Sequence, residues 1–411
     1  MTSRSALVFI FVTVTINMVG LGIVIPVMPE LIMELSGEGI SRAAVYSGWL
    51  MFFYALMQFL FAPIVSSLSD RFGRRPVLLV SLFVFGIDHL IMAFAPSIAW
   101  LILGRLLAGI TGATFTTANA YISDVSAPQD RAKNFGLVGA AFGLGFIIGP
   151  VIGGVLGEYG PRVPFFASAG LALLNVTYGF VVLRETLRPE ARRPFSIRRA
   201  NPAGTLLAVR HHPALLGLFG VVLLYQTAHF ANQSTWTYYT MRKFAWSESE
   251  VGYSLGAFGL MIAFVQGGLI RVVIPRLGEP RAVILGFSLM SSAFVGFAFA
   301  PSSWILIACI VPWALGEIAL PALRGIMANA VPDNAQGELQ GALTSMASLA
   351  AIFAPLLMTR IFAFFTSEGA PIEFSGAPFL VAAFLTSACV VICWRCRLSR
   401  TPTEPGPPHL R

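Results

Sequence analysis

The sequence predicts an all-α integral membrane protein whose twelve transmembrane helices form two six-helix bundles, with both termini in the cytoplasm. Three observations support this fold class: the apolar composition, the one-sided placement of positive charge, and an internal repeat. Of the 411 residues, 56% are hydrophobic and only 11% are charged. A chain with so few polar side chains cannot cover a water-soluble core, so we expect its solvent to be largely lipid.

Twelve apolar stretches are long enough to cross about 30 Å of hydrocarbon, which takes about 20 helical residues. These spans 1 to 12 cover residues 6–29, 43–66, 76–95, 98–122, 133–157, 164–184, 213–240, 249–271, 281–300, 303–329, 338–362 and 376–395. Span 1 follows Arg4 as a signal peptide would, but Pro26, Pro29 and Glu30 close a full-length span without a small-residue cleavage site. We therefore expect span 1 to be the first membrane helix.

Positive charge lies mainly on one side of the membrane if both termini are cytoplasmic. Most of the 27 Lys and Arg residues then fall in the inner loops, including a run of arginines between residues 184 and 210. The outer side holds only Arg42, Arg162, Arg242, Lys243 and Arg360. Because positive residues favour cytoplasmic loops, this asymmetry predicts the orientation.

The same charge distribution bears on possible partners. The net charge of +8 is spread over many short loops, which argues against nucleic-acid binding. The four cysteines lie in or beside apolar runs, without the spacing of a zinc site or a disulfide framework. The sequence has no nucleotide-binding loop, so we expect no cofactor, no metal and no enzymatic activity.

The internal repeat has a constant offset of 205 residues. Residues 93–97 (AFAPS) recur at 298–302, Gly73 corresponds to Gly278, and Pro150 corresponds to Pro355. A shared register over five spans indicates a duplicated six-helix unit, as in transporters whose binding site lies between two repeats. The predicted organisation is a bundle at 1–185, a cytoplasmic linker at 186–211, a second bundle at 212–396 and a cytoplasmic tail at 397–411.

Three segments carry a family resemblance: residues 69–76 (SDRFGRRP) after span 2, 103–106 (LGRL) in span 4, and 145–154 (GFIIGPVIGG) in span 5. They resemble signatures of the major facilitator superfamily, the last being its antiporter motif. Residues 53–58 (FYALMQ) and 104–112 further resemble the drug/proton antiporter branch that includes bacterial tetracycline efflux transporters. The resemblance covers almost the whole chain. It implies a proton-driven exporter in the bacterial inner membrane that works as a monomer.

The loop after span 2 is the predicted cytoplasmic gate. Its members are Asp70, Arg71, Gly73, Arg74 and Arg75, together with Asp124 at the inner end of span 4. A short acid can face the positive end of another helix, and a glycine permits a tight turn. By the resemblance, Asp70 contacts the start of span 11 and Arg74 pairs with Asp124, latching the inner side when the transporter faces outward. The alternative is a charge cluster that only anchors the loop at the membrane surface.

The predicted antiporter motif comprises Gly145, Gly149, Pro150, Gly153 and Gly154. Three of its glycines recur every four residues, so they share one helix face that allows another backbone to approach closely. We expect Gly256 and Gly268 of span 8 to supply the opposing surface. The proline removes a backbone hydrogen bond within the span. A dry seam of this kind would limit proton leak between the halves, although tight packing alone also explains it.

Ionisable residues at membrane depth are costly unless they are paired, hydrated or neutralised. The candidates for proton coupling are Glu317, Asp88 and Arg105. Glu317 lies near the centre of span 10, where a carboxyl can bind and release a proton as its exposure alternates. In the alternative, Arg324 holds Glu317 and Asp88 only bonds polar neighbours. Arg105 resembles the arginine that the family associates with proton transfer.

Polar and aromatic residues within otherwise apolar spans form the predicted cavity lining. They are Asn17, Tyr54, Gln58, Tyr225, Gln226, His229, Asn232, Gln233, Trp236, Trp313 and Glu317. This mixture suits a small amphipathic compound that contains rings. Aromatic residues also form lipid-facing belts, so the polar cluster of span 7 is the stronger prediction.

The chain departs from the tetracycline exporters at three positions. Asn17 stands where they carry an acid in span 1, Met290 falls on their aspartate in span 9, and Ile262 on a histidine that some of them carry. We therefore expect Glu317 to take over part of their work, with tetracycline or another drug as substrate. The alternatives are a proton-linked importer or uniporter of a metabolite, and a non-transporting receptor or membrane enzyme.

Overall fold

A computed structural model describes residues 3–112, 114–126, 130–193, 195, 215–332 and 335–396, and within these ranges all regular elements are helices. Most of the predicted linker, at 194 and 196–211, and the predicted tail at 397–411 lie outside the described residues.

The described part of the first half contains eight α-helices. They are α1 (Ser3–Ile23), α2 (Met28–Ser36), α3 (Ile40–Phe72), α4 (Arg74–Ala93), α5 (Ile98–Thr111), α6 (Thr114–Val125), α7 (Arg131–Gly157) and α8 (Val163–Val182). A short 3-10 turn, Pro189–Ala191, follows them.

Nine more lie in the second half, counted over residues 215–332 and 335–396. They are α9 (Leu216–Phe244), α10 (Glu248–Phe264), α11 (Ile270–Leu277), α12 (Glu279–Phe299), α13 (Ser303–Ala308), α14 (Ile310–Gly316), α15 (Ala319–Asn329), α16 (Gln336–Thr366) and α17 (Ala377–Arg395). A π-helical turn, Val265–Leu269, joins α10 to α11.

Helices lie at the positions of the twelve predicted spans, but not all of them are long and apolar enough to cross a membrane. In the described part of the chain, nine helices are long and apolar enough to cross a membrane, or ten if the bent pair α1 and α2 counts as one. This pair bends by 47°. Span 4 is divided into α5 and α6, and α9 is too polar to qualify because it carries the span 7 cluster. The protein is therefore an all-helical, multi-pass membrane protein.

The 205-residue repeat is visible in the backbone. Helix α3 ends at Gly73, with φ 108° and ψ 162°, and α4 begins at the next residue. Helix α11 ends at Gly278, with φ 77° and ψ 153°, and α12 follows in the same way. Glycine adopts such positive φ angles without steric cost. The two turns therefore have similar backbone conformations at equivalent positions of the two halves.

The halves meet along α7 with α10 and along α3 with α16. We call the end that holds Gly157 and Thr366 the outer end, according to the predicted orientation. There, Ser41 lies 2.9 Å from the Thr366 carbonyl, and Gly252 faces the Pro150 carbonyl. About four turns further in, in the π-helical turn that follows α10, Gly267 has open space around its Cβ position. The outer ends are thus closed against each other in this structure, and the inner ends of α7 and α10 are apart.

Candidate functional site

A fully buried acid lies in the first half. Asp88 sits on α4, and one of its carboxylate oxygens accepts a hydrogen bond from the Arg105 guanidinium on α5. The His89 ring lies 3.7 Å from the same oxygen and donates from Nδ1 to the Phe85 carbonyl at 2.8 Å. The acid that the sequence predicts for proton coupling is therefore ion-paired with the predicted arginine.

Gly104 makes room for this ion pair. A Cβ at Gly104 would lie 2.5 Å from Oδ1 of Asp88, so any larger residue would collide with the carboxylate. The Arg105 guanidinium also faces the ring of Tyr54, with 5.9 Å between its carbon and the ring centroid. Tyr54 thus links the ion pair to the neighbouring pocket.

A pocket opens beside the ion pair, between α1, α3, α4 and α5. Its lining is Asn17, Leu21, Tyr54, Ser81, Phe85, Ala108, Thr111 and Gly112. Gln58 reaches the pocket's edge, because its amide donates to the Gly112 carbonyl at 3.2 Å. The structure therefore brings together the three residues of the first half that the sequence predicts for substrate binding.

A second buried acid, Glu317, lies in the second half at a break in its helix. Helix α14 ends at Gly316 and α15 begins at Ala319. Pro321 causes the break, because a proline has no N–H for the carbonyl four residues earlier and its ring clashes with that carbonyl. Glu317 is only 5% exposed. A discontinuous helix at membrane depth is a common way to build a transport site.

The neighbours of Glu317 include a phenol and an imidazole. The Tyr225 hydroxyl donates to the Glu317 carboxylate, at 3.1 Å from Oε1 and 2.9 Å from Oε2. His229 Nδ1 lies 3.6 Å from Oε1, and its ring stacks on Trp313 with centroids 5.4 Å apart. Arg324, the alternative partner, is exposed, and within the described residues His229 is the only basic side chain in ion-pair range.

Met290 packs against Gly316, the residue that precedes this acid. A Cβ at Gly316 would lie 2.8 Å from the Cβ of Met290 on α12. Met290 is fully buried. Glu317 therefore follows directly after Gly316, which lies against Met290. By the resemblance, the position of Met290 carries an acid in the tetracycline exporters.

The other predicted lining residues of α9 divide into two groups. Gln226, His229 and Gln233 are at least partly exposed and recur at helical spacing, so they share one face. Asn232 is nearly buried. Trp236 is enclosed by aromatic rings and donates to Ser254 at 2.9 Å, so in this conformation it lies inside the second bundle.

The predicted gate residues form a cluster at the inner end of the first half. Arg74 donates to Asp70 at 2.6 Å and to Asp124 at 3.2 Å. The side chain of Arg71 lies over Phe72, and Arg75 donates to the Phe180 carbonyl at 2.8 Å. The resemblance implies the Arg74–Asp124 pair as a latch of the outward-facing state, and here the pair is present while the inner ends are apart. Asp70 turns to Arg74 in this structure, in which the inner ends are apart.

The antiporter motif packs differently from the prediction. Gly145, Gly149 and Gly153 do share one face, but this face lies against α1 of the same half, where a Cβ at Gly149 would lie 2.7 Å from the Val19 carbonyl oxygen. The contact with the other half is made by Pro150 and Gly154, which lie against Gly252 and the Glu248–Ser249 backbone. Gly256 lies against Val151 of α7 and not against the glycine face, and nothing lies within 4 Å of a Cβ at Gly268. The prediction that Gly145, Gly149 and Gly153 face the second half is therefore wrong. A row of glycines allows any neighbouring helix to approach closely, and here the nearest helix is α1 of the same half.

One residue of the gate cluster escaped the sequence analysis. Glu185, beyond α8, accepts hydrogen bonds from the backbone N–H groups of Arg74 and Arg75. Its separation of 111 residues from Arg74 gives no local signal, since the interaction depends on tertiary structure.

Comparison with known proteins identifies relatives over nearly the whole chain. The family model of the Major Facilitator Superfamily matches residues 10–271 and 218–411. The class C tetracycline resistance protein of Escherichia coli is 38% identical over 95% of this chain and 96% of its own. The class B protein of Escherichia coli is 38% identical over 84% and 86%. A crystal structure of a bacterial homologue of the human lysosomal transporter Spinster aligns with a TM-score of 0.78 and 16% identity, covering 98% of this chain and 99% of that one.

Proposed function

The chain belongs to the major facilitator superfamily, and we propose that it is a proton-coupled exporter of small amphipathic compounds that works by alternating access. We further propose that all twelve predicted spans cross the bacterial inner membrane and that both termini are cytoplasmic. The two bundles of the predicted organisation then move against each other around a site between them.

The observation that carries this proposal is the environment of Glu317. Glu317 is buried, accepts from the Tyr225 hydroxyl and has no arginine partner among the described residues, and an acid at membrane depth marks a candidate functional site. Its partner His229 is more exposed, with 19% of its side chain accessible. His229 thus connects Glu317 to the polar face that Gln226 and Gln233 share, which gives the proton a route to the cavity.

The arrangement of Met290 and Glu317 supports a relocated acid. In the tetracycline exporters, by the resemblance, an acid occupies the position of Met290 on the helix that faces Glu317. Here the apolar Met290 packs against Gly316, so the charge lies one helix away in the same part of the bundle. The tetracycline resistance proteins among the relatives make tetracycline the first compound to test, with cationic dyes and other amphipathic drugs next.

Transport in inside-out membrane vesicles tests the function. With a proton gradient, we expect tetracycline or another compound of the panel to accumulate, and a protonophore to abolish the accumulation. Glu317→Gln is expected to lower the gradient-driven rate at least about tenfold, equivalent to about 1.4 kcal/mol. Glu158→Gln, which removes an exposed acid at the end of α7, is the matched control. Unchanged accumulation in Glu317→Gln would exclude Glu317 as the coupling residue, and accumulation in right-side-out vesicles would favour an importer.

A further inference from the structure

The amino-terminal turn of α4 has an electrostatic problem that the equivalent turn of the second half does not have. The first N–H groups of any helix lack intrahelical partners, and the helix dipole makes this end positive. Helix α4 begins with Arg74 and Arg75 and has no acid in its first turn. At the 205-residue offset, α12 begins with Glu279, an acid in its own first turn.

Glu185 supplies the missing anion from another part of the chain. Its Oε1 accepts from the backbone N–H of Arg74 at 2.9 Å, and its Oε2 accepts from that of Arg75 at 3.2 Å. Oε1 also accepts from the N–H groups of Thr186 and Leu187, both at 3.0 Å. The carboxylate therefore joins the start of α4 to the segment after α8.

The turn between α3 and α4 favours glycine at position 73. Its φ of 108° favours glycine, and a Cβ there would collide with the Glu185 carboxylate. Two constraints therefore favour glycine at this position of the gate motif. They are the positive φ angle of the turn and the space that the Glu185 carboxylate occupies.

Two further contacts attach the same segment to the gate acids. The Thr186 hydroxyl donates to Oδ2 of Asp124 at 3.2 Å, the same oxygen that accepts from Arg74. The backbone N–H of Arg193 donates to the Asp70 carbonyl at 3.1 Å. Glu185, Thr186 and Arg193 thus contact the turn between α3 and α4 or the gate acids beside it.

We propose that Glu185 is a positioning residue of the inner gate, which fixes the start of α4 so that the Arg74 guanidinium stays directed at Asp70 and Asp124. Glu185 acts through Arg74 and does not touch substrate. This inference rests on the proposed function only in that the gate belongs to a transporter with alternating access. It also attaches the start of the predicted linker to the gate of the first half.

A distance measurement across the inner opening tests the role. Spin labels are placed at Leu137→Cys on α7 and Leu277→Cys on α11, with Cys309 and Cys396 replaced by serine, in purified protein without substrate or proton gradient. Glu185→Gln is expected to lower the ratio of closed to open inner distances at least about fivefold, the low end of coupling between sites. Glu190→Gln removes an exposed acid from the same segment and is expected to leave the ratio unchanged.

Two further variants separate positioning from general damage. In an Arg74→Ala background, Glu185→Gln is expected to have no additional effect, because its action passes through Arg74. Glu185→Asp keeps the charge but withdraws the carboxylate from the backbone of α4, so it is expected to shift the ratio in the same direction if Glu185→Gln does not fold. Equal distances in Glu185→Gln and Glu190→Gln, or an additive effect in the Arg74→Ala background, would overturn the proposal. Because no substrate is present, these results are independent of the vesicle assay, whose failure would remove the proposed function instead.

Discussion

Among the described residues, each half of the protein buries one acid within a predicted membrane span, and the two acids have different partners. Asp88 lies within the continuous helix α4 and is bonded to Arg105. Glu317 lies at the break between α14 and α15, where its carboxylate accepts from the Tyr225 hydroxyl and has His229 at 3.6 Å. One acid has a permanent cation beside it, and the other has a neutral phenol and a titratable ring.

We propose that the two acids have different tasks. The ion pair joins Asp88 of α4 to Arg105 of α5, so it is suited to hold these helices together. Among the described residues Glu317 has no arginine partner, and it lies beside His229 on the partly exposed face of α9. In this proposal a protein made of two related halves uses a single acid for coupling.

The largest expected effect comes from breaking the ion pair of the first half. Arg105→Gln leaves Asp88 buried without its cation, and breaking a buried pair in this way costs about 3–5 kcal/mol. Thermal unfolding of the purified protein in detergent measures the loss. The double variant Asp88→Asn/Arg105→Gln removes both charges and is expected to recover at least half of the stability. An Arg105→Gln variant as stable as the wild type would show that the pair does not hold the helices.

A smaller effect is expected from filling the space beside Asp88. Gly104→Ala places a methyl group 2.5 Å from the Asp88 carboxylate, and overpacking of this kind costs about 1–3 kcal/mol. Gly139→Ala on α7 is the matched control, because nothing lies within 4 Å of its Cβ position. Unfolding temperatures of the two variants give the comparison. Equal values would mean that the ion pair tolerates displacement.

Much of the fold and part of the site could be predicted from the sequence. Helical spans follow from apolar runs of sufficient length, and the offset that relates Gly73 to Gly278 recurs as the same backbone turn. The motif also predicts that Arg74 and Asp124 pair, although not that they do so while the inner ends are apart. These features depend on composition, spacing or a family signature, all of which a single sequence carries.

The remaining features depend on tertiary neighbours. No pattern indicates that Gly145 and Gly149 lie against α1, because a glycine face fits any close backbone. The bond from Tyr225 to Glu317 joins residues 92 positions apart. The sequence analysis does not predict the helix break at Glu317, although Pro321 is a local signal for it. It also does not predict that Gly316, the residue before Glu317, lies against Met290.

We propose that Glu317, and not Asp88, carries the transported proton. The most direct test is proton release when substrate binds to purified protein in weakly buffered detergent solution, followed with a pH indicator. The substrate is tetracycline or the compound that the vesicle assay identifies. We predict that the wild type and Asp88→Asn release a proton on binding, whereas Glu317→Gln binds without release. A release that persists in Glu317→Gln and disappears in Asp88→Asn would contradict the account.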